Sequence, residues 1–445
     1  MAGYCEVRNR TSGVLSNVME IACDSIDDPA VFRCDDAKAF SEYPIQSARY
    51  VHPEPLVFGK QKRGIVFSIY EDAIPGVYAI IQLLRSPDYN CTLPVELFYE
   101  PHVMDPTKHL LLQALLVDGS VALRTIDDRA FSHFRTKPYA VYHASFEQVL
   151  LLDCDNIPLR DPTYLFESLN ATTTTAIFWP DFWQPSYSIF NVHAQSLLWQ
   201  YLDMPFIGGF EQESGQVLID RRASARALHK LMFYTTGPSS SNASLVFLHS
   251  KRLLYGDKDL FRFAWLNTST PYHFILEPPA FAGVYRWWLT KFCGLSIIQF
   301  DMSGRMTFLH RNMAKLNGDP RQVPVLRDIA RFNTTTYNAS EHYLVECKGR
   351  QLGGKLCWGF KWPFVPYDVT PMGDDHRIRR VEAQVLRFAI DAGTLGRLHH
   401  LYDNDPPSGW YQLDLVLGLG TLSVVASFAY RWVGCRRPRK PPVSS

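Results

Sequence analysis

The chain has 445 residues, 47% of them hydrophobic and 20% charged, with 45 basic against 44 acidic side chains. That balance excludes a disordered chain and, with no basic surplus, argues against a nucleic-acid binder. The length exceeds the usual ceiling for one hydrophobic core, so one large α/β domain with additions, or two domains, is expected.

Residues 1–60 are polar and weakly patterned and read as a stem or irregular extension. From Gly64 the run GIVFSI has the β-branched, apolar character of a buried strand. Asp72 to Leu84 reads as a helix with Pro75 tolerated in its first turn, and LPVELFYE (Leu93 to Glu100) is the next strand, which makes a βαβ unit and a parallel sheet. Tyr139 to His143 and Gln148 to Leu152 are further strand candidates, followed by Thr175 to Phe178 and Gln216 to Ile219. Ala223 to Phe233 and Asp259 to Leu266 read as helices, and Ile297 to Phe300 and Arg305 to His310 as late strands. The alternation predicts an α/β fold: an open, mostly parallel sheet flanked by helices, with its site at the strand C-termini. The domain is expected over residues 61–320, with an extension packed on it over 321–405 and a linker at 406–412.

Two features bear on compartment. Seven Asn-x-Ser/Thr triplets, at Asn9, Asn90, Asn170, Asn242, Asn267, Asn333 and Asn338, exceed the about 1.5 that chance predicts and favour a glycosylated, lumenal chain. There Cys347 and Cys357 are candidates for a disulfide, whose pairing spacing alone leaves open. Residues 413–433 are nearly free of charge, flanked by Trp410, Tyr411, Tyr430 and Trp432, and long enough to cross a bilayer as a transmembrane helix. Arg436, Arg437, Arg439 and Lys440 then place the tail, 434–445, in the cytosol and the body in the lumen. The start, MAGYCEVRNRTSG, holds no apolar leader. Either an N-terminal signal precedes it or the chain is tail-anchored facing the cytosol, and the agreement of sequons with tail charge favours the first.

The sharpest chemical feature is VLLLDCDNIPLRDP, from Val149 to Pro162. An apolar strand delivers Asp153 and Asp155 together, two carboxylates able to share one hard divalent cation, Mn²⁺ or Mg²⁺, that in turn holds a diphosphate. In FWPDFW (Phe178 to Trp183), Asp181 sits among aromatic rings of the kind that stack on a sugar, although for the rings alone core packing is the simpler reading. QESGQVLID puts Glu213, Ser214 and Gly215 just before a strand, where the glycine either admits a ligand close to the backbone or makes a turn. GDKDLFRFAW presents Asp257, Lys258 and Asp259 at a helix start, where acids also cap. In FLHRNMAK, His310 is a candidate third metal ligand and Lys315 a candidate to neutralise a leaving phosphate, a role also open to Lys137. No G-x-S-x-G, P-loop or G-x-G-x-x-G occurs, which removes the corresponding hydrolase, NTPase and dehydrogenase readings.

The ordered segments RGIVFSI, LPVELFYE, SFEQVLLLDCDNIPLRDPTYLF, FWPDFW, QESGQVLIDR, GDKDLFRFAW and FLHRN together resemble the fungal-type MNN α-mannosyltransferases, glycosyltransferase family 71, over roughly residues 62–315. The resemblance implies a GT-A fold and a retaining, metal-dependent α-mannosyltransferase. Such an enzyme moves mannose from GDP-mannose to mannose-containing glycans of glycoproteins or cell-wall polysaccharide in the Golgi lumen. It implies that Asp153, Asp155 and His310 hold the metal, and that Ser68, Lys137, Ser214 and Lys315 join Asp153 and Asp155 in donor binding. Asp181, Glu213, Asp257 and Asp259 are then the catalytic candidates. The absent N-terminal anchor and the C-terminal membrane segment depart from the family pattern and bear on topology rather than chemistry. Two other readings stand beside this one: the same fold with a UDP-sugar donor, and a non-catalytic, membrane-anchored glycan-binding protein.

Overall fold

The computed structural model describes residues 6–17, 34–184, 192–237, 253–254, 256–286, 291–351, 355–361 and 365–402. Its first layer is a seven-stranded sheet in the order His273–Phe274, Ala176–Pro180, Gln212–Asp220, Gln148–Leu152, Arg63–Ser68, Val95–Tyr99, Val121–Thr125. Neighbours run parallel except around Gln212–Asp220, which is antiparallel to both of its partners. The central runs are apolar on both faces because helices cover both, and Val149 to Leu152 are fully enclosed. The α/β class and the parallel βαβ start are thus as expected.

A second, antiparallel sheet is built from strands between Ala280 and Pro371, together with Asn156–Pro158, which pairs with Met306–His310. The chain therefore leaves the first sheet at Leu152 and enters the second at Asn156, and the link between them is Asp153-Cys154-Asp155. Gly76, in the helix Ile74–Arg85, lies against this link so closely that a Cβ there would come 2.5 Å from the Cys154 carbonyl.

Several expectations are corrected. Tyr139 to His143 is not a strand but part of the helix Thr136–His143, with Pro138 in its first turn. A five-residue apolar run does not fix its own period, and here the chain enters through the 3₁₀ turn His133–Arg135. Glu213, Ser214 and Gly215 lie inside the nine-residue strand Gln212–Asp220 rather than before it. The stretch to residue 60 includes a helix, Cys34–Arg49, whose Phe40 and Tyr43 are buried, with Tyr43 stacked on Tyr201 at 3.8 Å. Cys357 is bonded to Cys293, not to Cys347. Cys347 stands opposite Trp358 in the ladder, so it shares that residue's face, while Cys357 points to the other, where Cys293 waits. The polar stretch after 320 forms strands and the helix Arg377–Tyr402, which packs along Ile74–Arg85. Among the described residues no helix is long and apolar enough to cross a membrane, and the expected span at 413–433 lies outside them.

Candidate active site

Asp153 and Asp155 are aimed by the turn between the two sheets: the Asp153 N–H donates to the Gly215 carbonyl at 2.9 Å, and the Asp155 carbonyl accepts from the Arg311 N–H at 2.8 Å. His310, last residue of its strand, reaches back so that Nε2 lies 3.1 Å from Asp155 Oδ1. One ligand atom from each of Asp153, Asp155 and His310 falls within 4.8 Å of the others. Gly215 makes room for this ring, since a Cβ there would come 2.9 Å from His310 Nδ1.

The fit to a divalent cation is testable on these groups. Two carboxylates and an imidazole are the donor set of Mn²⁺ or Mg²⁺ rather than of a thiolate-loving metal. The buried His310 Nδ1 has no hydrogen-bond partner and lies 3.8 Å from Glu213 Oε1. Within the chain itself, protons and lysines balance the acids. Burial disfavours charge on His310, but Asp155, Glu213 and Asp153 outweigh it and raise its pKa to about 9. Burial likewise opposes ionisation of Asp155, yet His310 and Lys315 hold it well below the usual carboxylate range. Lys137 Nζ lies 2.7 Å from Asp153 Oδ1 and 3.4 Å from Asp257 Oδ2, and Lys315 Nζ lies 3.2 Å from Asp155 Oδ2. Each of these positive groups lies on a carboxylate of the trio, the place a cation would take. The residues fit.

Glu213 borders this centre. Burial, then the nearby Asp181 and Asp153, raise its pKa to about 7 against the opposing pull of His310, while its Oε1 accepts from the Gly215 N–H at 2.6 Å. Asp257, raised chiefly by burial, lies beside Ser214 and is paired with Lys137. Lys258, the next residue, turns the other way to Asp181 at 3.0 Å and to Glu211. Asp259 takes a left-handed φ of 65° and accepts from the Gln212 N–H at 2.7 Å; burial lifts it to about 7 despite Lys258.

The predicted residues thus divide. Asp153, Asp155, His310, Lys137, Lys315, Glu213, Ser214 and Asp257 converge on one centre. Asp181 and Asp259 belong to an adjoining cluster around Lys258. Ser68 touches the centre through its carbonyl, which accepts from Cys154 Sγ at 3.3 Å, while its hydroxyl donates to Thr136. Glu211 is the residue that the motifs miss. Its signal is spacing: in an extended segment Glu211 and Glu213 share a face.

An open, mostly parallel sheet with paired acids and a histidine grouped at a strand end is the arrangement of an α/β protein with a candidate cation site at its strand C-termini. Residues 62–203 match the family model described as "Mannosyltransferase putative". Alpha-1,2-mannosyltransferase MNN22 of Candida albicans is 25% identical over 236 residues, 44% of this chain and 39% of that one. Alpha-1,2-mannosyltransferase MNN2 of Saccharomyces cerevisiae is 31% identical over 114 residues, 24% and 19% respectively. The family expected from the motifs is borne out over residues 62–203, where the chain matches the mannosyltransferase model and is similar to MNN-type α-1,2-mannosyltransferases. It spans less than half the length of the curated relatives it matches. The mannosyltransferase Ktr4p of S. cerevisiae overlaps 53% of this chain and 78% of its own at a TM-score of 0.32 and 12% identity, a likeness too slight to carry weight. The family match includes Ser68, Lys137, Asp153, Asp155 and Asp181; Glu213, Ser214, Asp257, Asp259, His310 and Lys315 lie beyond it.

Proposed function

We propose that this protein is a metal-dependent, retaining α-mannosyltransferase of GT-A type that moves mannose from GDP-mannose to a mannose-containing glycan in the Golgi lumen. The observation that carries the reading is the meeting of Asp153, Asp155 and His310 between two sheets, with Lys137 and Lys315 on the same carboxylates. The names of the relatives support mannose as the sugar.

Mn²⁺ or Mg²⁺ held by Asp153, Asp155 and His310 supplies the positive charge that a departing nucleoside diphosphate needs. Lys137 and Lys315, each paired with one of these carboxylates, would add to that charge. Glu213 and Asp257, the carboxylates bordering the metal ligands, offset the oxocarbenium character of the sugar. Asp181, held by Lys258 at 3.0 Å, adjoins these groups from the neighbouring cluster. A lumenal setting draws support from the Cys293–Cys357 disulfide and from the sequons. Of the described sequon asparagines, Asn9, Asn90, Asn170 and Asn338 are exposed and Asn267 and Asn333 half-buried. The membrane anchor is proposed at 413–433.

The test is transfer by the full chain from GDP-mannose to an α-linked mannobiose, with the product's anomeric configuration read by NMR. An α-linked trisaccharide that disappears with EDTA and returns with Mn²⁺ is expected. A β-linked product overturns retention, and turnover of a UDP-sugar instead overturns the donor.

A further inference from the structure

The segment after His310 is tied to a distant part of the chain. Arg311 forms an ion pair with Glu382 of the helix Arg377–Tyr402, their side chains 2% and 0% exposed. The same Arg311 donates its backbone N–H to the Asp155 carbonyl and its Nε to the Ala314 carbonyl, both at 2.8 Å. Glu382 also accepts from the N–H groups of Val325 at 3.2 Å and Leu326 at 3.0 Å. Further along, Gly318, at φ 71°, lies against Gly393 of that helix, where a Cβ would come 2.1 Å from the Gly318 carbonyl. Between these ties, Gln322 Nε2 donates to the Lys315 carbonyl at 2.7 Å and its Oε1 accepts from the Asn317 N–H at 3.2 Å. The stretch bearing His310 and Lys315 is thus pinned at both ends to one helix.

A buried ion pair is a poor source of net stability, because desolvating both charges offsets their attraction and an apolar pair of the same size does as well or better. What a guanidinium fork and a carboxylate add is direction. We propose that Glu382 is a positioning residue: through Arg311 it sets His310 and Lys315 against Asp155 and so tunes the cation- and diphosphate-binding arm. The inference rests on the proposed function, deepens it, and assigns the C-terminal helix a part in ligand binding.

The test compares the full chain with Arg311→Met/Glu382→Leu, which removes the pair without stranding a charge, and with Glu382→Gln. Mn²⁺ binding is followed by electron paramagnetic resonance, GDP binding in Mn²⁺ by calorimetry, and exchange of amides 311–318 by mass spectrometry. In the double variant the thermal midpoint should fall only modestly, through the Val325 and Leu326 N–H groups that lose Glu382, while Mn²⁺ and GDP affinities fall about tenfold and the loop exchanges faster. Glu382→Gln should show the same affinity loss with a lower midpoint. Unchanged affinities in folded double variant, with or without faster exchange, overturn the proposal. If the wild type takes up Mn²⁺ but no GDP, the donor reading fails while the Mn²⁺ comparison still decides this one; no Mn²⁺ uptake overturns both.

Discussion

Asp153 and Asp181 each follow a buried strand and each meets a lysine, at 2.7 and 3.0 Å, yet their surroundings differ in kind. Around Asp181 the compensation is enclosed, with only Glu211 Oε1 among its buried carboxylate oxygens lacking a hydrogen-bond partner. Lys258 is 9% exposed, its partners Asp181 and Glu211 are buried, and Asp259 is spent on a backbone N–H. Around Asp153 and Asp155 it is provisional. Lys315 is 60% exposed, the His310 Nδ1 has no partner, and His310 carries a proton it can give up. We read the enclosed cluster as structural and the provisional one as the proposed binding site. Glu213, whose pKa answers to acids of both clusters, sits on the boundary.

Asp153→Asn or Asp155→Asn strikes the provisional cluster directly. Transfer should fall about 10³-fold or more, with the folded state preserved, in an assay of GDP-mannose turnover paired with circular dichroism. Lys258→Met, in the closed cluster, should instead cost about 3–5 kcal/mol in a denaturant titration, because it strands buried carboxylates. Lys315→Met provides the contrast: a loss of about 1 kcal/mol or less, since the lysine end of the pair is in solvent and His310 still pairs with Asp155. Equal destabilisation by both lysine variants would erase the distinction. Glu213→Gln should lower kcat about 10²-fold while GDP affinity stays put; a matched loss of affinity would move Glu213 from the sugar to the metal shell.

The smallest effect is a pH dependence. To ligate a metal, His310 must lose the proton it holds up to about pH 9, so Mn²⁺ affinity should rise with pH by at most about tenfold per unit and level off above 9. For the metal-free protein the sign is opposite. A histidine whose folded pKa is raised above 6.5 contributes stability fully present below 6.5 and lost as pH climbs through 9. His310→Gln should flatten both curves.

The parallel half of the fold is legible in the sequence because its strands are short apolar runs ending in turn or acidic residues, as at Val149 to Asp153. The acids and His310 are legible for the same reason: each stands at or near the end of such a run. Tyr139 to His143 reads wrongly as a strand because helix and strand share its composition. The Cys293–Cys357 bond and the Arg311–Glu382 pair join residues 64 and 71 apart, which no local pattern announces. Lys258 is visible as part of an acid–lysine–acid triplet, but its pairing with Asp181 and Glu211 rather than Asp257 is not.

The central claim, that the Asp153–Asp155–His310 centre holds a cation which holds a guanosine diphosphate, is tested most directly by calorimetric titration of the full chain with GDP and then UDP, each with and without Mn²⁺. The account predicts GDP binding that requires Mn²⁺ and is far tighter than that of UDP. Folded protein that binds neither nucleotide, or binds GDP equally well without the metal, would contradict it.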